Sequence, residues 1–287
     1  MGKKIALLTA IIPVKNIENI SKNICELFTQ DLSEIRIIIV LDDVDESTKK
    51  IIRNLKESIH ACDITILEGK FGNPGGARNA GMALSESDWI CFWDADDQPV
   101  ISNILCEIRS DSSNSEVIVG QFATMDWMTN TEIGTTRLDL NLYAVAMNPG
   151  LWRHVFRREI LEQLAFPEFR MAEDQVFLAK VYDKCPTVKF SESIFYYYFK
   201  NVPNQLTSIN ENLDDIEKSL GILLNLRGRD SKFFEILLVR QLVTVFFRKF
   251  SYKRSRLKLY QRVIFQISGS SLARIFWTIC LMKFRRK

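Results

Sequence analysis

The segment Phe92-Trp93-Asp94-Ala95-Asp96-Asp97 places three carboxylates within four residues, directly after an apolar run. Like charges at that spacing repel, and the cost is relieved when something positive sits among them. A hard divalent cation with oxygen ligands does this, and Mg2+ or Mn2+ held there would also meet a substrate diphosphate. The same residues fit a second reading, a solvated acidic turn with Asp97 near the N-terminus of the next helix. A Gly-rich stretch, Gly72-Asn73-Pro74-Gly75-Gly76-Ala77-Arg78-Asn79-Ala80-Gly81, lets a ligand approach the backbone, and Arg78 can clamp a phosphate or a nucleotide edge. It lacks the Lys-Ser/Thr of a P-loop and the strict G-x-G-x-x-G spacing. Asp42-Asp43 ends a run of Ile and Val, where a carboxylate either accepts hydrogen bonds from a base or ribose or simply ends a strand. His60 and His154 are the only histidines, which excludes a His-based triad and a multi-His metal site.

These residues need a scaffold, and the spacing of apolar positions supplies one. Strands are predicted at Ile5 to Ile12, Ile35 to Leu41, Asp63 to Leu67 and Trp89 to Trp93, with helices at Ile17 to Phe28, Ser47 to Ser58 (Ser47 as N-cap) and Gly75 to Leu84. Strands alternating with helices imply right-handed crossovers and an α/β fold with a mostly parallel sheet. Ligands of such sheets sit beyond the C-terminal strand ends, which is where Pro13 to Asn16, Asp42 to Asp45, Gly69 to Gly76 and Asp94 to Asp97 fall. Further on, the pattern predicts a helix to Arg109, a strand from Glu116 to Phe122, a short run at Leu151 to Phe156, helices at Arg157 to Leu164 and Glu173 to Tyr182, and an aromatic strand at Ile194 to Phe199. From Leu213 onward the period is helical.

At 287 residues and 47% hydrophobic content the chain can bury one large core or two small ones. Net charge is +3, but 16 Lys/Arg against Asp230 and Glu235 lie from Arg227 onward, leaving −11 for residues 1–226. The chain is therefore an acidic body with a basic tail, and a boundary is expected near residue 210. Six cysteines with no C-x-x-C pair argue against a zinc ribbon or redox dithiol, and point to the cytoplasm. The basic, then apolar N-terminus is short and lacks a cleavage site, so it reads as a first buried strand. No apolar stretch reaches the ~20 residues that span a bilayer.

In order and spacing, Ile11-Ile12-Pro13-Val14-Lys15-Asn16, Asp42-Asp43, Gly76-Ala77-Arg78-Asn79-Ala80-Gly81, Asp94-Ala95-Asp96-Asp97 and Glu173-Asp174 resemble glycosyltransferase family 2, the inverting GT-A transferases. The resemblance covers roughly residues 5 to 200. Gly150-Leu151-Trp152-Arg153 through Phe166-Pro167, with Phe195-Tyr196-Tyr197-Tyr198, is similar to the bacterial members that build capsule and O-antigen polysaccharides. Two departures stand out: Lys15 replaces a residue that is commonly Tyr or neutral, and Val44-Asp45-Glu46-Ser47-Thr48 replaces a Gly-Ser turn.

The resemblance implies a GT-A domain over residues 1–210 and a basic helical region over 211–287. It implies a nucleotide-diphosphate sugar donor, such as a UDP-sugar, contacted by Pro13, Asp42, Asp43, Gly76, Arg78 and Asp94, with Asp94 and Asp96 around Mn2+ or Mg2+. Asp174 is the expected general base, ionised at neutral pH if its pKa is the ordinary value of about 4. Glu173, Trp152 and His154 are candidates on the acceptor side, although an isolated Trp beside apolar residues also fits a core. Tyr196 to Tyr198 alternate across a strand, so only one face can reach the site.

Two other function classes fit the residues less well. A nucleotidyltransferase would carry its Gly-rich loop directly after the first strand, where this chain has Pro13-Val14-Lys15-Asn16. A basic-tailed nucleic-acid binder is opposed by the acidic body and the lack of a recognised motif, so no nucleic acid is expected. Phe233 to Phe247, the run Ile275 to Cys280 and the Lys and Arg around them predict helices that pack on the body or lie at an anionic membrane surface. That second outcome fits a peripheral enzyme at the inner face of the cell membrane, extending a lipid-linked glycan.

Overall fold

The computed structural model describes residues 5–15, 20–59, 62–136, 139–202, 213–226 and 231–248. Asn16, His60 and the basic tail beyond Arg248 lie outside the described residues.

Four parallel strands form one half of the sheet: β1 (Leu8–Val14), β2 (Ile35–Asp42), β3 (Asp63–Gly69) and β4 (Trp89–Phe92), in the order β3-β2-β1-β4. The unbroken Ile/Val run of β2 follows from its position, because both faces are covered. Ile38 and Val40 enter one core with Ile11, Ile90 and Phe92, while Ile37, Ile39 and Leu41 enter the other with Ala10, Ile12 and Cys91. Helices α1 (Ile20–Leu27), α2 (Glu46–Ser58) and α3 (Pro74–Met82) connect these strands, and α4 (Ile101–Arg109) follows β4. Asp45 caps α2 by accepting from the Thr48 N–H, so the cap is Asp45 and not Ser47. Contact between α3 and β1 is close enough that a Cβ on Gly81 would stand 2.5 Å from Ile11 Cγ2.

The other half is mixed. Beyond β4 come β8 (His154–Arg157), β6 (Val117–Asp126), β9 (Val188–Lys200) and β5 (Gln98–Pro99), with β7 (Glu132–Thr136) also on β6. Strands β1–β4, β6 and β9 run one way and β5, β7 and β8 the other. The short run predicted at Leu151 to Phe156 supplies β8, which takes Arg157 from the helix predicted at Arg157 to Leu164. Val155 and Phe156 pair with both β4 and β6, and only α6 (Arg158–Leu161) remains helical. The remaining helices are α5 (Leu142–Met147), α7 (Glu173–Asp183), α8 (Leu213–Asn225) and α9 (Ser231–Arg248), and α9 packs on α5, α7 and α8. Among the described residues, no helix is long and apolar enough to cross a membrane.

Candidate active site

Strand ends bring the first group of residues together. Asp42, the last residue of β2, is buried, and its Oδ1 accepts the backbone N–H of Phe71 at 2.6 Å and of Gly72 at 2.9 Å. Lys15 Nζ lies 3.5 Å from the other oxygen. Asp42 therefore pins the loop between β3 and α3, a role the Asp42-Asp43 pattern did not reveal. Asp43 sits in the left-handed region at φ 52°, with Lys70 Nζ 3.1 Å from its carboxylate. Asn73 closes the loop by accepting the Gly76 N–H at 2.7 Å, and Pro74 occupies the first helical turn. Pro13, in β1, keeps part of its surface exposed.

Arg78 projects from α3 into the interior, with only 6% of its surface exposed. Its Nη2 donates to Asp94 Oδ1 at 2.8 Å and its Nη1 to Glu173 Oε1 at 2.7 Å, while Phe166 covers the guanidinium at 5.6 Å. Arg78, the residue expected to clamp a phosphate, cross-links the end of β4 to the start of α7. Both partner carboxylates hold its charge firmly in place.

The acidic turn is built on aromatic side chains from the far half of the sheet. The Asp94 N–H donates to the Tyr196 hydroxyl at 2.9 Å. Tyr196 stacks on Trp152 at 4.6 Å and 13°, and Trp152 also stacks on Tyr198 at 5.6 Å. Asp97 is 3% exposed and accepts the Phe199 N–H at 2.7 Å. It does not cap α4, which starts after Val100 without a side-chain cap. Burial, with Asp96 and Asp94 adding repulsion, pushes the Asp97 carboxyl well above the usual range. Asp97 is thereby turned into the fold, and Asp94 and Asp96 remain partly exposed at the surface of the turn.

Among the described residues no three His, Cys, Asp or Glu side chains converge on one cation position. Two carboxylates suffice where substrate phosphates and water complete the shell, as is usual for Mg2+. Asp94 and Asp96 stand two residues apart and partly exposed on the turn, and Arg78 takes only one oxygen of Asp94, so the oxygen donors present fit such an ion.

Asp174 lies in the first turn of α7, beside Glu173. Its Oδ1 accepts the Gln175 N–H at 2.8 Å. Loss of surrounding water, and then the neighbouring Glu173 charge, push its carboxyl up to about 7, against the pull of Arg78. This differs from the ordinary acidity expected of it and places its titration near neutrality.

Of the acceptor-side candidates, Glu173 is held by Arg78 and Trp152 keeps part of its surface exposed beside the turn. His154 is 0% exposed: Nδ1 lies 2.8 Å from Gly150 O, Nε2 lies 3.1 Å from the Tyr182 hydroxyl, and the ring stacks on Phe156. Burial and the adjacent Arg153 lower it to about 3, so it is a neutral core residue with no surface for an acceptor.

The family pattern described as "Glycosyl transferase family 2" matches residues 9–164, more than half of the chain and every strand-end motif of the parallel half. The chain belongs to glycosyl transferase family 2. Among relatives in this family, the glycosyltransferase EpsJ of Bacillus subtilis is 28% identical over 225 residues, which is 71% of this chain and 64% of EpsJ. Poly(ribitol-phosphate) beta-N-acetylglucosaminyltransferase TarS of Staphylococcus aureus is 22% identical over 229 residues, 75% of this chain and 39% of TarS. The chain thus spans less than two thirds of the length of either relative. The crystal structure of S. aureus TarS 1-349 in complex with UDP-GlcNAc superposes with a TM-score of 0.65 at 19% identity, covering 86% of this chain and 74% of that one. Mannosyltransferase PcManGT from Pyrobaculum calidifontis, in complex with GDP-Man and Mn2+, gives 0.54 at 13%, covering 98% and 88%. At these identities the likeness is one of fold, and it is the GT-A fold that the family 2 resemblance implied.

Proposed function

We propose that this family 2 chain transfers a sugar from a nucleoside-diphosphate donor, a UDP-sugar, to a hydroxyl of a glycan acceptor, with inversion at the anomeric carbon. The observation that carries this reading is the Arg78 bridge, which ties Asp94 of the acidic turn and Glu173 beside Asp174 into one charged cluster at the C-terminal edge of the sheet. A donor diphosphate at the turn then faces a carboxylate across the sugar. UDP-GlcNAc in the staphylococcal complex supports a uridine donor.

Asp94 and Asp96 would hold Mg2+ or Mn2+, which when bound supplies positive charge against the diphosphate as it leaves. The protein's own contribution lies on the other side. Asp174 accepts the proton of the attacking hydroxyl at its carboxylate, and a pKa near 7 suits a base that must take a proton at neutral pH and lose it again. Arg78, fixed between two carboxylates, keeps the turn and the base at constant separation. The basic residues from Arg227 onward, against −11 on residues 1–226, support an acceptor presented at an anionic surface, a lipid-linked surface polysaccharide at the inner face of the membrane.

A screen of UDP- and GDP-sugars with Mn2+ or Mg2+ tests the reading by release of the nucleoside diphosphate, and NMR of the first-formed linkage tests inversion. Release from a UDP-sugar with an inverted product is expected. No release from any nucleotide sugar, or retention, would overturn it. Co-sedimentation with anionic liposomes, lost at high salt, is the expected result for the membrane assignment, and equal partitioning with neutral liposomes would remove it.

A further inference from the structure

The segment leading into the base is built in a way that needs outside support. Helix α7 has no side-chain cap at its N-terminus, and the residue at the cap position, Ala172, lies in the left-handed region at φ 67°. A non-glycine residue there is strained and persists only where its surroundings hold it. Those surroundings come from the two C-terminal helices. Asp215 of α8 accepts the Arg170 N–H at 2.9 Å, and Lys218 of α8 lies 5.8 Å over the Phe169 ring. Ile216 packs on Ala172 and Met171 in a small core of their own.

From α9, the buried Gln241 donates through Nε2 to Gln175 Oε1 at 3.4 Å, and its Oε1 lies 2.7 Å from the fully buried Ser219 hydroxyl of α8. Gln175 in turn donates its N–H to Asp174. Arg240 of the same helix bonds the Met147 carbonyl of α5, which anchors α9 to the body of the sheet domain.

We propose that α8 and α9 are a clamp that positions the base: Asp215, Ile216 and Gln241 hold residues 169–175 in the strained arrangement that aims Asp174 at the acidic turn. The clamp rests on the assignment of Asp174 as base. It makes the C-terminal helices part of the catalytic machinery whether or not the tail touches a membrane. Asp215, Ile216 and Gln241 are positioning residues, since none of them reaches the reacting atoms.

The test uses the full chain with Gln241→Leu and Asp215→Ala, and Ile236→Val as a buried control elsewhere on α9. Hydrogen exchange of a peptide spanning 168–178 is read together with UDP affinity in Mn2+ and turnover of UDP-GlcNAc. Both clamp variants should exchange this segment about tenfold faster while keeping the wild-type UDP affinity. Turnover should fall about tenfold with the donor KM unchanged, as expected for a misplaced group. The control should lower global stability and change neither local exchange nor turnover. Unchanged exchange at 168–178 in both variants would overturn the clamp, and so would faster exchange with full turnover. If the wild-type chain releases no nucleoside diphosphate from any nucleotide sugar, the transfer reading fails separately, and the exchange data still decide whether these helices hold the segment.

Discussion

The two halves of the site are held by different means. On the donor side, Asp42 and Asp94 stand at or just past the ends of parallel strands, so the sheet itself sets their place and neighbouring loops finish the work. On the base side, Asp174 stands at an uncapped helix start and depends on side chains such as Gln241, 66 residues away from Gln175. A site residue attached to regular backbone inherits its precision, whereas one at an irregular junction borrows it from distant contacts. Substitutions on the donor side should therefore act locally, and those on the base side at long range.

Arg78 belongs to both halves, and its loss should break the contrast most severely. Arg78→Met leaves two partner carboxylates without their shared cation, and breaking a buried pair of this kind costs about 3 kcal/mol or more. A thermal melt should show the loss, with donor affinity and turnover falling together; a variant that loses only one of them would separate the halves.

Asp174→Asn should leave UDP affinity intact and lower turnover by about 100-fold or more, the range for a lost general base. The same variant tests pH dependence. With Asp174 up at about 7 against an ordinary 3.8, the folded protein keeps a proton that the unfolded chain has lost. That contribution to stability is full below 3.8 and is lost as pH rises through about 7, while turnover rises over the upper end of the window. Asn should flatten the stability slope, and a slope that survives would assign the titration to another group.

Asp96→Ala should confine its effect to the donor side: Mn2+-dependent UDP binding weakens by about tenfold or more, since a two-carboxylate site has lost half its protein ligands. Base-side exchange at 168–178 should not change. The smallest effect is expected for Asn73→Ala, which removes the α3 cap and costs about 1 kcal/mol with little change in turnover. A large loss of turnover there would show that the loop between β3 and α3 is less firmly held by Asp42 than its two hydrogen bonds indicate.

The same contrast decides what could be read from residues alone. Asp42, Asp94 and Asp96 follow apolar runs whose character marks strand ends, so their place at one edge was legible. The partners of Arg78 were not, because a Gly-rich turn with one cation looks equally suited to phosphate. Asp97 fitted either a cation site or a solvated turn, since nothing near it announces Phe199 as a donor 102 residues away. The alternation of Tyr196 to Tyr198 showed that one face could matter; only the fold selects Tyr196, whose hydroxyl meets the Asp94 N–H. Residues 154–157 were divided between a short apolar run and a helix because four residues are too few to display a period. Asp45 and Ser47 are both good caps, and the spacing to Thr48 favours Asp45.

The position of β9 between β6 and β5 also has a consequence for the order of assembly on the ribosome. The four parallel strands are complete once residue 92 has been made, but the cores on their two faces wait for later residues such as Phe156, Phe177 and Phe195. Asp94 and Asp97 emerge next, but Tyr196 and Phe199 are synthesised 102 residues afterwards. At typical bacterial and eukaryotic elongation speeds that interval is roughly 5–20 s. During it the acidic turn is hydrated, and β4 presents an unpaired edge until residues 154–157 of β8 have been made, a window in which a nascent chain is exposed to edge-to-edge association. Slow codons between residues 100 and 196 would lengthen that exposure, and fast ones would shorten it.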